Sequence, residues 1–228
     1  KFPAIKIILT GGGRVSKGAM EVLTGMRIRK VSPVEFLTEY FNEPVYTQLN
    51  TRDYNQRIDG GSFSRDEFYQ NPGNYESSFG QYARKADVLI AGAFWDPKAP
   101  TLFTKEDANR SEFMIRVIAD ITCDIEGSIP STIRPSTIAE PVYDYNPSDN
   151  KEEPAFADEG NITVMAVDNL PCELPRNASE DFGKEFLKHI LPNLVGDDKD
   201  QIIGRATICQ NGKLMPDYAY LQDFVDGH

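Results

Sequence analysis

Near its start the chain passes from the apolar run Ala4–Thr10 into Gly11-Gly12-Gly13 and then into a helix-forming stretch that begins near Ser16. A strand, a glycine turn and a helix in that order is the sequence form of a dinucleotide-binding unit. Gly11 permits the tight bend because it takes positive φ without a steric penalty. Gly12 and Gly13 let the backbone come close to a pyrophosphate. The N–H groups of Arg14, Val15 and Ser16 at the helix start would point at the phosphates, helped by the helix dipole. Gly18 falls where the helix must lie against the strand, so the spacing reads G-x-G-x-x-x-x-G, not the commoner G-x-G-x-x-G. The alternative is a plain strand-to-helix turn that binds nothing. A P-loop is excluded because Lys17 is followed by Gly18, not by Ser or Thr. A nucleotide-binding turn this early leaves no room for a domain ahead of it.

The net charge of −11 argues against nucleic acid and against an anionic membrane surface as partners. No apolar run approaches the roughly 20 residues that span a bilayer. There is no charged-then-apolar leader, and a first residue other than Met reads as a processed, tagged or truncated product. Cys123, Cys172 and Cys209 are widely spaced and form no CxxC, so free thiols in a reducing, cytoplasmic setting are expected, with no metal site. Cys123 reads as a core residue of an apolar strand.

Strands are expected at 5–9, 27–31, 86–91, 117–123 and 162–167, with helices at 16–24, 34–40, 64–69, 75–85, 104–109 and 179–195. The last of these is broken near Pro192. Residues 202–208 suit either state, and 214–224 read as helix. The polar and aromatic stretch 47–82 reads as an insertion between core strands, and 131–160 as mostly loop. Strands alternating with helices predict a doubly wound parallel sheet of the Rossmann type, covered on both faces. Ligands in such sheets sit at the carboxyl ends of the strands. Four strand ends stand out: Thr10–Gly13, Gly92–Trp95, Asp124–Gly127 and Asp168–Pro171. They are expected to converge on one crevice.

These ends carry a resemblance to the alanine dehydrogenase / transhydrogenase / saccharopine dehydrogenase superfamily. Ala86–Ala93 with Lys98-Ala99-Pro100 resembles the strand and loop over the cofactor. Asp120–Asp124 with Gly127 resembles the next strand, and Asp168–Pro171 with Leu174-Pro175-Arg176 the last strand and hinge helix. Within the superfamily, Thr10–Ala19, Asp124–Ile129, Val167–Pro171 and the tail from Ala206 to Tyr218 are most similar to the lysine–2-oxoglutarate reductase, or saccharopine-forming, type. The insertion, with Tyr75 and Phe79, also resembles this type.

The resemblance implies a Rossmann NAD(P)-binding domain over 1–175, with its insertion at about 47–82. A hinge helix and C-terminal segment of a catalytic domain would occupy 176–228. The rest of that domain, with a Lys and His pair, would be absent, since His189 and His228 read as incidental. The chain alone would then be inactive. Asp168 would face the amino acid as the catalytic-side carboxylate. Asn169 and Leu170 would lie against the nicotinamide, and Asp124, beside Ile121, against its ribose. Ala93, Phe94 and Trp95 would line the cofactor pocket.

Cofactor choice is expected at the end of the second strand. Arg29-Lys30-Val31-Ser32 offers no acid there, so Ser32 and its basic neighbours favour NADPH over NADH. Lysine, 2-oxoglutarate or saccharopine would be the substrates by resemblance. An alanine-dehydrogenase-like enzyme and a non-catalytic NAD(P)-binding module are the alternatives. An exposed apolar surface around 168–175, covered by self-association into a homo-oligomer, is also expected.

Overall fold

The computed structural model describes residues 2–227, and the chain divides after Asn169 into two compact units. The first unit runs β1 (Lys6–Thr10), α1 (Arg14–Gly25), β2 (Arg29–Val31), α2 (Pro33–Thr38), β3 (Val45–Leu49), β4 (Asn55–Arg57), α3 (Arg65–Gln70), β5 (Tyr75–Ser77) and α4 (Gly80–Ala83). It continues through β6 (Val88–Ala91), α5 (Lys105–Ala108), β7 (Val117–Asp120), β8 (Val142–Asn146), β9 (Lys151–Glu153) and β10 (Ile162–Met165). One eight-stranded sheet holds the order β2-β3-β1-β6-β7-β10-β8-β9. The strands from β2 to β10 run parallel, and the β8–β9 hairpin adds on antiparallel. This is the Rossmann-type architecture that the alternating pattern predicts.

Side-chain alternation along the strands divides the core in two. Ile8, Val45 and Leu89 point into a large cluster closed by Phe36 of α2, Tyr82 of α4 and Ala108 of α5. Ile7 and Tyr46 point the other way, against Leu23 and Met20 of α1.

β1 does not pair with the strand that follows it along the chain. Its inner neighbour is β3, and β2 is pushed to the edge. Burial explains the choice. Val45 and Leu49 are fully buried, whereas Arg29 and Lys30 of the short β2 are exposed charges suited to an edge. Residues 47–49 therefore belong to the sheet, and the insertion expected from residue 47 begins only after Leu49. Within it, 75–85 is strand β5 followed by α4 instead of one helix. The region 131–160 holds the β8–β9 hairpin. Its buried Asp144 accepts hydrogen bonds from the Ala157 N–H (2.9 Å) and the Thr163 hydroxyl (2.7 Å), so a carboxylate is satisfied inside a strand. Cys123 lies past the end of β7, half-buried and at φ 53°.

The second unit, from Leu170, starts with a 3-10 turn (Leu170–Glu173) and α6 (Pro175–Glu185). A π-helical turn (Phe186–Ile190) leads into α7 (Leu191–Val195). Pro192 explains that turn: it donates no N–H, and its ring would clash with the carbonyl of Lys188 in a regular α-helix. Then come α8 (Ile202–Ala206), the hairpin β11 (Cys209–Gln210) and β12 (Lys213–Leu214), a 3-10 segment (Pro216–Leu221) and α9 (Gln222–Val225). The stretch 214–224, expected as helix, is thus strand end, 3-10 and one short α turn. None of the unit's described residues is buried. Among the described residues no helix is long and apolar enough to cross a membrane, and no cluster of His, Cys, Asp and Glu could share a metal ion.

Candidate dinucleotide cleft

The glycine turn works by a different spacing from the one expected. Gly11 holds φ 97°, and a Cβ on it would stand 2.7 Å from Ser16 Oγ and 3.0 Å from Ala93 Cα. Gly18, in contrast, is exposed and meets nothing, so it does not bring helix and strand together. Ser16 does. It is fully buried, and its hydroxyl donates to the carbonyls of Thr10 (2.9 Å) and Gly92 (3.4 Å). The working pattern is Gly11-x-Gly13-x-x-Ser16, with a small hydroxyl in the third glycine's place. Ser16 is therefore a positioning residue and is not part of the cleft lining. Gln48 of β3 adds a second clamp, its amide donating to the Gly11 carbonyl at 2.9 Å.

The N-terminus of α1 is open. Gly13 is its N-cap, no side chain caps it, and its first turn holds no acid. A Cβ on Gly13 would meet no atom within 4 Å. Free N–H groups, a favourable dipole and clear space together suit a pyrophosphate. Arg14 and Val15 follow on the cleft wall.

A cleft of about 1300 Å³ crosses this turn. At one end stand Asn50, Thr51 and Arg52, which follow β3; Phe63, Arg65 and Tyr69 of the insertion also line the cleft. Toward the other end come Gly92, Ala93, Phe94 and Trp95, then Ile121, Thr122, Asp124 and Ile125 after β7. Three of the four strand ends expected to converge thus do so. Trp95 is half-buried, its indole N–H shared between the carbonyls of Ala99 and Pro100 (3.2 Å each). Phe94 is 90% exposed.

The β7 loop is built around buried Asp120. Its carboxylate accepts from the Thr122 hydroxyl (2.6 Å), the Thr132 hydroxyl (2.7 Å) and the N–H groups of Thr122 and Cys123. In the same loop Cys123 and Glu126 take positive φ. Gly127 is required, since a Cβ there would lie 2.6 Å from that of Asp124. Burial and then the neighbouring Asp120 push the Asp124 carboxyl above its ordinary range. Burial, followed by Asp120, Asp168 and Asp124, pushes the Cys123 thiol up as well, which keeps it neutral. The thiol donates to the Ala166 carbonyl at 3.1 Å.

Asp168 and Asn169 are exposed after β10 and are not among the residues lining the cleft. Leu170 opens the second unit, half-buried in its 3-10 turn. Ser32 caps α2: its hydroxyl accepts from the Glu35 N–H, and the Glu35 carboxylate accepts from the Ser32 N–H. Ser32 also lines a smaller pocket of about 450 Å³ with Lys30, and that pocket shares Asn50 and Arg52 with the main cleft. The sequence reading missed Asn50, Thr51, Arg52, Arg65 and Tyr69. Recognising Val45–Leu49 as the strand beside β1 would have pointed to Asn50–Arg52, but nothing local marks Arg65 or Tyr69.

The profile of the family described as alanine dehydrogenase/PNT, C-terminal domain, matches residues 2–217. The chain belongs to this family. Alanine dehydrogenases and saccharopine dehydrogenases are nicotinamide-dependent oxidoreductases, and the open glycine turn of this alanine dehydrogenase/PNT domain fits such a cofactor. The domain is 27% identical over 248 residues to the mitochondrial alpha-aminoadipic semialdehyde synthase of Mus musculus, covering 96% of this chain and 27% of that protein. It is 27% identical over 238 residues to the alpha-aminoadipic semialdehyde synthase of Arabidopsis thaliana, covering 94% and 22%. The saccharopine dehydrogenase [NAD(+), L-lysine-forming] of Schizosaccharomyces pombe is 26% identical over 112 residues, covering 47% and 28%. The chain thus spans about a quarter of the length of the curated relatives it matches.

Proposed function

We propose that this domain holds NADP(H) for an oxidoreductase of the saccharopine type, acting on the imine formed between lysine and 2-oxoglutarate. The observation that carries the reading is a cleft that crosses an uncapped helix N-terminus, holds a lone carboxylate, and shares Asn50 and Arg52 with a pocket lined by Lys30, Ser32 and Asp53. The cofactor supplies the hydride chemistry. The protein's part is to bind, orient and surround it. Gly11–Val15 receive the pyrophosphate. Ala93 and Trp95 line the cofactor pocket, and Ile121 belongs to the wall along which the nicotinamide half lies. Asp124, with its raised pKa, faces the nicotinamide ribose, and Asp168 pairs with a substrate ammonium.

The NADP(H) preference rests on the strand order. The residue that reads the adenosine ribose follows the strand beside β1, which here is β3. Asn50, Thr51 and Arg52 are the first residues there, ahead of Asp53. Asp53 comes next and lines the adjoining pocket, one of its carboxylate oxygens accepting from the Asn50 N–H at 2.7 Å. The adjoining pocket brings Lys30 and Ser32 to the same place, so the edge strand adds to a 2′-phosphate site completed by Arg52.

Neither Lys nor His lines the cleft. That observation favours a second reading, a cofactor-binding module whose proton-transfer groups lie elsewhere, and it makes the isolated chain inactive on substrate. An alanine-dehydrogenase-like activity is the related alternative. Calorimetric titration with NADPH and NADH tests the proposal. Binding of NADPH well ahead of NADH is expected. Preference for NADH would shift the reading toward the lysine-forming or alanine-type enzymes. Failure of a folded sample to bind either would overturn it.

A further inference from the structure

The lobe between β4 and β5 is an aromatic block. Phe63, Phe68 and Tyr75 pack with ring centroids 5.2–5.7 Å apart. Arg57 locks it by pairing with Asp59 (2.7 Å) and Glu67. The Tyr75 hydroxyl bonds the Glu67 carboxylate (3.0 Å) and the Ser64 carbonyl (3.1 Å). Hydrogen bonds from Asn74 and Tyr75, together with Arg57, hold the Glu67 carboxyl below its ordinary range. Phe68 and Tyr75 are buried in this block.

Tyr69 is the exception, with 58% of its surface exposed. It follows Arg65 by four residues on α3, so both occupy one face. The Arg65 guanidinium stands 5.6 Å from the centroid of the Tyr69 ring. Both side chains line the cleft, as do Asn50 and Arg52. Tyr69 also borders an apolar chamber off the cleft, walled by Ala91, Ala93, Trp95 and Leu102. An exposed ring on a rigid block costs little ordering entropy on binding. With the Arg65 guanidinium over one face of the ring, the other face is left for a flat base, and the cation favours a base that carries phosphate.

We propose that this lobe is the adenine-binding jaw of the domain: the Tyr69 ring stacks on the adenine base, and Arg65 answers the phosphate of the same nucleoside. The inference rests on the dinucleotide reading above and adds a residue pair to it. It also gives the insertion a role, since it makes the adenosine end an enclosed site.

The test is calorimetric titration of the full chain with NADPH and with 2′,5′-ADP, the adenosine half alone. Quenching of Trp95, the chain's single tryptophan, gives an independent readout within the cleft. Tyr69→Ala is expected to weaken both ligands by about tenfold or more, the loss typical of one base–aromatic stack. Tyr69→Phe keeps the ring and is expected to bind as the parent does. Tyr69→Leu keeps apolar bulk without a ring and is expected to lose binding as Ala does. Arg65→Gln is expected to weaken 2′,5′-ADP severalfold. If the parent binds both ligands and Tyr69→Ala or Tyr69→Leu binds them equally well, the jaw is refuted while the dinucleotide reading stands. If the parent binds neither, the dinucleotide reading falls and the jaw falls with it.

Discussion

The two ends of the cleft are built to different degrees. At the end proposed for adenosine, Arg52, Arg65, Lys30 and Ser32 gather with Asp53 in a chain of net charge −11, beside an aromatic block fixed by its own ion pairs. At the nicotinamide end the wall is mostly backbone and apolar, with Asp124 as its one carboxylate. Its loop is held by the buried Asp120 cage with two residues at positive φ. One end is equipped to bind. In the proposed reading the other presents a reactive ring, with the proton chemistry left to groups that do not line it. Binding energy spent on the remote half of a cofactor is a general way to position its reacting half.

The largest expected effect breaks both ends at once. Gly13→Val should leave the fold intact, because a Cβ there meets nothing, yet fill the pyrophosphate space. Dinucleotide affinity should fall on the order of a hundredfold through lost charge-assisted hydrogen bonds, with an unchanged melting temperature. Gly11→Ala should instead lower stability by about 1–3 kcal/mol, since φ 97° strains any side chain; denaturant unfolding separates the two cases.

Arg52→Ala isolates the adenosine end. NADPH should weaken by about tenfold to a hundredfold, the range for losing a hydrogen-bonded charge, with little change for NADH. Equal losses for both cofactors would show that Arg52 does not read the 2′-phosphate.

Asp124→Asn isolates the other end, with a smaller effect. An oxidised nicotinamide is cationic, so the ionised carboxylate favours NADP+ over NADPH. The Asp124 carboxyl titrates above the ordinary carboxylate range. The NADP+ preference should therefore fade as pH drops through that raised value, by about fivefold, as for an exposed ion pair. In the Asn variant the relative affinities should be flat with pH.

The smallest effect lies in the apolar chamber's wall. Burial pushes the Tyr54 phenol up to about 12. A group whose folded pKa is raised contributes stability that is present below the unfolded value near 10 and lost as pH rises toward 12. Ultraviolet titration should find one late-ionising tyrosine, absent in Tyr54→Phe.

What the sequence made legible was local. The glycine turn and the apolar strands β1, β6, β7 and β10 declare themselves because each is a short run bounded by turn residues. β3 was hidden because Thr47 and Gln48 make a fully internal strand look polar; Thr47 is buried and Gln48 is used to clamp the turn. The β8–β9 hairpin was hidden by Asp144, whose burial depends on partners at Ala157 and Thr163. Gly18 drew attention that belonged to Ser16, because a serine can replace a glycine only where a strand carbonyl accepts its hydroxyl. The Tyr69 jaw was not legible at all. It depends on a lobe from 55–77 being brought over a turn at 11–13, a juxtaposition with no signature along the chain.

The most direct measurement is a crystal structure of this chain soaked with NADPH. The account predicts the pyrophosphate on the Gly11–Val15 turn, the 2′-phosphate between Arg52 and Ser32, and the adenine against Tyr69. A 2′-phosphate found away from Arg52, or an empty glycine turn at saturating NADPH, would contradict it.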